Sequence, residues 1–538
     1  MNESWRAPLR VSHALGWMVV GAVSFHAAYA QPALVGLFVL YFVGLVQLCR
    51  VATARRAFYF GFLLGLGIFA PQLAFLFNIF SFAAVPLWCV LAFYHGLFLV
   101  LGRFCGRRWG ARGWWLLPVL WLGLEYFRSE LNYLRFSWTN AGYAFAGTLP
   151  SPLLSTLGMY GLGFLLMLVA VVICARAKRV MLAGAVVAVV LSGVFHFWKL
   201  GQATSPASTG PLMAGVQLEF PWDKEVPGEL DKLVAKYPDA DLLVLSEYTF
   251  DGPVPQAVKD WCRQHRRHLI VGGKDELPDG EFYNTAFVIG PDGEIIFRQV
   301  KSVPIQFFKD GLPAKEHALW NSPWGKIGML VCYDLSYTRV TDRLVRLGAQ
   351  AIIAPTMDVE SWGRRQHELH ALVAPVRAAE YGVPIFRIAS SGISQAVDAQ
   401  GRVMASAPFP GPRETMAARL TFSERGAAAI GPVSGTGGSG GDGGGVGDVF
   451  GEWESNLPTD SGKPRIGGAK SCTRKIDEPL SLVPSPPRSS GEREMLRDAC
   501  GETIRGDARC ATKRHRTGAL QDASRSTYTR HGDASWIR

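Results

Sequence analysis

Seven apolar stretches in the first 200 residues, at about 13–30, 33–49, 57–77, 82–102, 113–127, 158–174 and 180–198, constrain this chain more than any other feature. Each approaches the length needed to cross a hydrocarbon core of roughly 30 Å. Backbone in hydrocarbon must satisfy its own hydrogen bonds, so such stretches read as a bundle of membrane helices over residues 1–200. With 49% hydrophobic and only 18% charged residues, the chain is too apolar for a disordered or ordinary soluble protein. The net charge of +11 invites a nucleic-acid reading, but its placement argues against one. Residues 1–200 hold 15 Lys/Arg against Glu3, Glu125 and Glu130, whereas the other 338 residues hold 40 basic and 41 acidic side chains.

The basic residues sort by loop. Arg6 and Arg10, then Arg50, Arg55 and Arg56, then Arg103, Arg107, Arg108 and Arg112, then Arg176, Lys178 and Arg179 all fall on one side, while the opposite loops carry only Arg128 and Arg135. The positive-inside bias puts the N-terminus in the cytoplasm. Seven crossings then place everything after Lys199 outside it. The start of the chain imitates a secretory signal ending near Ala28-Tyr-Ala30, but further apolar stretches follow at once and favour an uncleaved first span. The aromatic loop at 128–157, with Trp138, Tyr143 and Phe145, reads as an interfacial belt. Glu125, near a span end, can pair with Arg128 at i, i+3. Nine cysteines without CxxC spacing indicate neither a disulfide framework nor a zinc site, and no metal or cofactor motif stands out.

From Pro211 to about Leu420 the pattern changes to short apolar runs alternating with amphipathic stretches, the mark of an α/β domain. Strands are expected at 213–218, 242–245, 269–271, 285–289, 294–298, 327–331, 351–354, 385–389 and 395–398, and helices at 229–236, 255–266, 342–347 and 365–381. Gly290-Pro-Asp-Gly293 is a hairpin signal. Beyond 420, a run with eleven glycines among residues 431–451 leads into Arg-, Ser- and Pro-rich sequence without an eighth span. Such a 421–538 tail buries too little to offset its ordering entropy and is expected to be disordered.

Three apolar runs in the α/β part stop on a reactive side chain. Leu-Leu-Val-Leu-Ser leads to Glu247, Ile-Ile-Phe-Arg-Gln-Val to Lys301, and Gly-Met-Leu-Val to Cys332. A strand fixes the backbone while the next residues turn away, so these positions display chemistry well. A carboxylate can accept the thiol proton, the thiolate can attack a carbonyl, and an ammonium can stabilise the resulting oxyanion, with the Tyr333 backbone N–H as a second donor. Each residue alone would be an edge charge or a small core residue. Only the combination points to catalysis.

The order Glu247, Lys301, Cys332, with Tyr283-Asn284-Thr285, Gly290-Pro-Asp-Gly293, Cys332-Tyr-Asp and Arg377-Ala-Ala-Glu380, resembles the nitrilase (carbon–nitrogen hydrolase) superfamily. The helical half, with 118–128, Phe136-Ser-Trp138 and 158–164, is similar to its membrane-bound branch that N-acylates bacterial lipoproteins. The resemblance implies an α-β-β-α sandwich at 211–420 and a periplasmic active site on a multi-pass inner-membrane protein. It implies a phospholipid acyl donor, a cysteine thioester, and the N-terminal amine of a diacylglyceryl-cysteine lipoprotein as acceptor. Asp310 and Asp334 are candidate accessory carboxylates. Where that branch usually carries a glutamate, eight residues after the lysine, this chain has Lys309 with Asp310 next, so the carboxylate is lost or displaced by one position. Met357-Asp358-Val-Glu-Ser-Trp362 stands in for Asn-Asp-x-Trp-Phe, and Ser390-Ser391-Gly392 for Asn-x-Gly. Competing readings are a membrane-bound amide hydrolase, an acyltransferase with another amine acceptor, and a non-catalytic transporter or scaffold. Retention of all three reactive residues argues against the last.

Overall fold

The computed structural model describes residues 7–146, 151–175 and 209–423. The expected seventh span at 180–198 and the expected disordered tail, apart from its first three residues, lie outside the described residues. Six expected spans coincide with helices: α1 (Val11–Ala30), α2 (Phe38–Leu48), α3 (Ala54–Gln72), α5 (Ala84–Trp109), α6 (Leu117–Tyr126) and α7 (Ser151–Ala175), with the short α4 (Leu76–Phe80) between α3 and α5. Helix α1 and segments within Leu76–Leu131 and Leu153–Ala175 are long and apolar enough to cross a membrane. Thr53 caps α3 by accepting from the Arg56 N–H at 3.2 Å. The fifth span is short as a helix because α6 passes into a π-helical turn at Phe127–Leu131.

Small residues set the closest helix contact. A Cβ on Gly61 would lie 2.5 Å from the His95 carbonyl oxygen, and one on Gly65 would lie 2.7 Å from Ala92 Cα. This is the small-xxx-small packing that lets membrane helices approach. At one end of the bundle, basic side chains grip the α2–α3 turn. Arg103 donates to the Val51 carbonyl at 3.0 Å and Arg107 to the Ala52 carbonyl at 2.7 Å. Leu87 and Leu91, near the other end of α5, face the α/β domain.

That domain consists of two six-stranded sheets. The first runs β12-β1-β2-β3-β4-β5 and the second β11-β10-β9-β8-β7-β6. In chain order the strands are β1 (Thr209–Val216), β2 (Leu242–Val244), β3 (His268–Glu276), β4 (Phe282–Ile289), β5 (Ile295–Val300), β6 (Trp320–Ser322), β7 (Gly325–Met329), β8 (Ala351–Thr356), β9 (Ile385–Ala389), β10 (Ser394–Val397), β11 (Val403–Ala407) and β12 (Thr415–Thr421). Period-two alternation builds the layers. Met213, Leu242, Val244, Ile270, Ala286 and Val288 join one core, whereas Ala214, Leu243, Leu245, Leu269, Val271 and Phe287 pack with Val226, Leu230 and Val258 of α8 (Val226–Lys236) and α9 (Gln256–His265). The sheets approach closely where β1 meets β9, since a Cβ on Gly215 would lie 2.7 Å from Ile388 Cδ1.

Helices α10 (Thr338–Arg346), α11 (Arg364–Ala371) and α12 (Val373–Tyr381) cover the second sheet, giving an α-β-β-α sandwich. Helix α12 also packs on α7 and so joins the sandwich to the bundle. All nine expected strands are present, but β6, β11 and β12 were not expected; they pair at or near sheet edges, where side-chain patterning is weakest. The single helix expected at 365–381 is two. Pro375 cannot donate to the carbonyl four residues back, and the helix breaks at Leu372. The domain also extends past its expected boundary, because Phe422 is buried.

Gly61→Val should force α3 and α5 apart, costing about 1–3 kcal/mol as an overpacking change. The expected outcome is a lower thermal midpoint and reduced monodisperse yield of the detergent-solubilised protein. Wild-type behaviour would contradict the close approach.

Candidate active site

The three strand-end residues converge. Glu247 follows β2, Lys301 follows β5, and Cys332 begins the turn after β7. Lys301 Nζ lies 2.9 Å from Glu247 Oε1, with both side chains only 1% exposed. The other Glu247 oxygen accepts from the Met357 backbone N–H at 2.8 Å, and the Cys332 thiol donates to the Met357 carbonyl at 3.6 Å. Two backbone features open this space. Gly272 on β3 has no room for a side chain, because a Cβ there would lie 2.6 Å from Glu247 Cα. Cys332 adopts φ +54°, a conformation unusual for a residue other than glycine. Strain of this kind is tolerated where surroundings over-determine it.

The fixing is done by Asp334. Its carboxylate accepts from the N–H groups of Val331 at 3.2 Å, Ser302 at 2.9 Å and Val303 at 2.7 Å, stapling the cysteine turn to the loop after Lys301. Its described partners are therefore backbone amides rather than the thiol. Burial pushes Asp334 up to about 6, against the pull of those amides and of Lys301. Asp310, by contrast, reaches the centre. Its Oδ2 lies 2.7 Å from Lys301 Nζ, and its Oδ1 accepts from Tyr248 and Asn284, each at 2.8 Å. Asn284 also donates to Glu247 at 2.6 Å, tying both carboxylates into one network. Lys309, where the resemblance calls for a carboxylate, is exposed, and Asp310 one residue on is the carboxylate that contacts Lys301.

The electrostatics follow from this packing. Burial alone would favour a neutral Lys301, but Asp310 and Glu247 hold the ammonium well above its ordinary range. Burial also pushes the Cys332 thiol well above its ordinary value, and Glu247 adds to the shift while Lys301 opposes it. Burial thus favours the protonated thiol at Cys332, with the Lys301 ammonium fixed nearby.

The helical half completes the site. The Tyr333 and Tyr337 hydroxyls donate to the Arg135 carbonyl at 3.1 and 3.2 Å. Trp138 donates from its ring nitrogen to Ser336 at 2.9 Å and stacks on His370 with ring centroids 4.7 Å apart. Arg377 reaches the Tyr143 hydroxyl at 3.0 Å and the Ser336 carbonyl at 2.9 Å. The 128–146 segment is therefore a clamp on the cysteine turn, a role its aromatic composition did not indicate. Arg128 turns to Thr139 and Asn140, so no ion pair with Glu125 forms among the described residues. Beside Tyr333 lies an apolar cavity with about 750 Å³ of empty space including its open side, within the usual roughly 300–1,000 Å³ of ligand pockets. Phe75, Leu76, Leu87 and Leu91 line it from the bundle, and Ile305, Phe308 and Trp362 from the sandwich.

Asn284, the Met357 peptide and the 128–146 clamp were not singled out as site elements from sequence. Asn284 offered a signal, a polar residue inside the apolar β4 run. The Met357 contribution is backbone and carries no side-chain signature.

A two-sheet sandwich with Glu, Lys and Cys meeting at strand ends, docked on an apolar helical half, defines a carbon–nitrogen hydrolase fold with a membrane-type N-terminal region. Residues 221–429 match the carbon–nitrogen hydrolase family and residues 19–172 match the apolipoprotein N-acyltransferase N-terminal domain. Both halves of the chain are thus similar to apolipoprotein N-acyltransferases. It is 26% identical over 453 residues to the apolipoprotein N-acyltransferase of Geobacter metallireducens, covering 73% of this chain and 86% of that one. The Haemophilus ducreyi apolipoprotein N-acyltransferase is 24% identical over 383 residues, covering 61% and 73%. Among solved structures, Saccharomyces cerevisiae Nit3, a member of branch 10 of the nitrilase superfamily, aligns at 21% identity with a TM-score of 0.36, covering 41% of this chain and 93% of that one.

Asp310→Asn should leave Lys301 with Glu247 as its one close carboxylate against a burial that favours the neutral amine. Losing an opposite charge lowers an ammonium pKa. The Lys301 ammonium should therefore lose its proton at lower pH than in the unmodified protein, as read by NMR titration of the lysine side chain; an unmoved or raised midpoint would contradict the assigned contact.

Proposed function

We propose that this protein transfers a fatty acyl chain from a phospholipid, through a thioester on Cys332, to the N-terminal amine of a diacylglyceryl-cysteine lipoprotein. The observation that carries the reading is the buried Cys332 thiol, bonded to the same residue, Met357, that holds Glu247 of the Glu247–Lys301 pair, and lying one residue before Tyr333, which lines an apolar cavity walled by both halves of the chain. In the first half-reaction, Glu247 takes the thiol proton as sulfur attacks the ester carbonyl. Lys301 and the Tyr333 N–H stabilise the oxyanion. Collapse breaks the ester C–O bond, and Glu247 returns the proton to the departing lysophospholipid alkoxide. In the second, the lipoprotein amine attacks the thioester and its proton passes to Glu247; as the C–S bond breaks, Glu247 returns that proton to sulfur, leaving an amide and the free thiol.

Incubated with phospholipid alone, the protein should acquire one acyl chain on Cys332 as a hydroxylamine-sensitive thioester, discharged to an amide by a diacylglyceryl-cysteine peptide. Cys332→Ser should abolish the adduct, and Glu247→Gln or Lys301→Ala should slow its formation by about two or more orders of magnitude. Combined losses should not add. Discharge to water alone would favour an amide hydrolase, and labelling of another cysteine would sink the assignment.

The acceptor and donor are lipids of an outer leaflet, so the reading also needs the sandwich outside the cytoplasm. The gathering of Arg103 and Arg107 at the bundle end remote from the cavity supports that orientation in a bacterial inner membrane. A reporter active only outside the cytoplasm should work when fused after Lys199 and fail when fused near Arg108. The reverse pattern would remove both lipid substrates from reach.

A further inference from the structure

Beyond the three reactive residues, a second buried polar cluster meets Cys332 and Glu247 through the backbone of Met357. The Met357–Asp358 peptide is planar, so its carbonyl and N–H cannot turn independently. The carbonyl accepts from the Cys332 thiol at 3.6 Å, and the N–H donates to Ser390 Oγ at 3.0 Å. One residue back, the Met357 N–H donates to Glu247 at 2.8 Å. A few backbone atoms therefore align both the proposed nucleophile and the proposed base.

These atoms are held from the Asp358 side. Its Oδ1 accepts from Gln366 at 2.9 Å and lies 2.7 Å from His370 Nδ1, while its Oδ2 pairs with Arg387. Asp358 and Arg387 are completely buried. The Asp358 carbonyl accepts from Ser390 Oγ at 3.0 Å and from the Ser391 N–H at 3.2 Å. A Cβ on Gly392 would lie 2.6 Å from Asp358 Cβ, so the following turn is shaped around this side chain. A buried carboxylate with such partners has few alternative positions, because leaving any of them unpaired costs its desolvation energy.

We infer that Asp358 is a positioning residue: its buried contacts with Arg387, His370 and Gln366, together with the Ser390 hydroxyl, fix the Met357–Asp358 peptide that aligns Cys332 with Glu247. Asp358 itself does not touch the reacting atoms. The inference rests on the Cys332 thioester chemistry proposed above and adds a determinant of its rate. Gln366 also lines the apolar cavity, but Asp358, Arg387 and Ser390 do not, so loss of the Asp358 carboxylate or the Ser390 hydroxyl reduces the speed of acylation more than the hold on the lipid.

The test uses the full-length protein in detergent–phospholipid micelles and follows thioester formation on Cys332 over phospholipid concentration. The burst amplitude counts competent sites, the limiting first-order constant gives the speed per site, and the half-saturating concentration gives lipid engagement. Asp358→Asn should lower the limiting constant by about tenfold to a hundredfold, as a small misalignment of reacting groups does. Amplitude and half-saturation should stay within about twofold. Ser390→Ala, a milder change on the same peptide, should lower the constant in the same direction by less, and it carries the test if Asp358→Asn does not fold. An unchanged limiting constant overturns the inference. So does a loss confined to amplitude, which would mark a purely structural role, or one confined to half-saturation. Absence of any thioester in the unmodified protein would instead refute the reading of Cys332 itself.

Discussion

The arrangement of the α/β half depends on one buried ammonium. Lys301 sits in the interior with Glu247 and Asp310 at 2.9 and 2.7 Å, and neither the cation nor the anions could be stable there alone. The network draws on separate stretches of chain: the end of β2 for Glu247, β4 for Asn284, the end of β5 for Lys301, and the following loop for Asp310. A one-residue slip of β5 against β4 would turn Lys301 to the opposite face and strand both carboxylates. The Lys301 N–H to Asn284 carbonyl bond, at 2.8 Å, continues that ladder to the end of the strand. Strand register and the charge balance of the site are thus one constraint.

A second dependence runs between the halves. The turn that carries Cys332 continues into Ser336 and Thr338, and nearly every polar group there meets a partner from the bundle or from α12. Glu130 accepts from the Thr338 N–H at 3.0 Å and its hydroxyl at 2.8 Å, and Arg339 returns a bond to the Glu130 carbonyl at 2.9 Å. Glu380 of α12 accepts from the Met159 N–H at 3.1 Å, beside Gly158, whose φ of +64° interrupts α7. A Cβ on Gly158 would lie 2.6 Å from that carboxylate. The kink in a membrane-type helix is therefore part of the docking surface, and the helical half works as a structural partner of the cysteine turn.

These two dependences also explain what the sequence made legible. Apolar spans and the three strand-end residues were readable because each is a local pattern: a run of the right length, or an apolar strand stopping on Glu247, Lys301 or Cys332. Asp310 was readable only as a displaced carboxylate, and its contact with Lys301 needed the fold of the intervening loop. Trp138 and Tyr143 were not legible as clamp residues, because an aromatic at a membrane surface and one packed on an α/β domain have the same composition; the partners Ser336, His370 and Arg377 reveal the packing. Asp334 was legible as a neighbour of the thiol, but its role in binding three backbone N–H groups depends on a turn geometry that no spacing encodes. The edge strands β6 and β11 were missed for a related reason, since an exposed edge need not alternate strictly.

The position of the cavity gives the division into two halves a chemical sense. An acyl chain is apolar along its length and carries its reactive carbonyl at one end, so a site for it needs an apolar channel ending on a polar, water-poor centre. Neither half supplies both. The bundle contributes Phe75, Leu76, Leu87 and Leu91, while the sandwich contributes Ile305, Phe308 and the turn beginning at Cys332. Phe80 of α4 packs against both Phe307 and Phe308, with ring centroids 6.0 and 5.8 Å apart, so the channel wall crosses the junction between the halves. A hydrolase acting on a soluble amide would need only the polar centre. Building part of the apolar wall from the helical half brings that wall to Tyr333, one residue from the thiol.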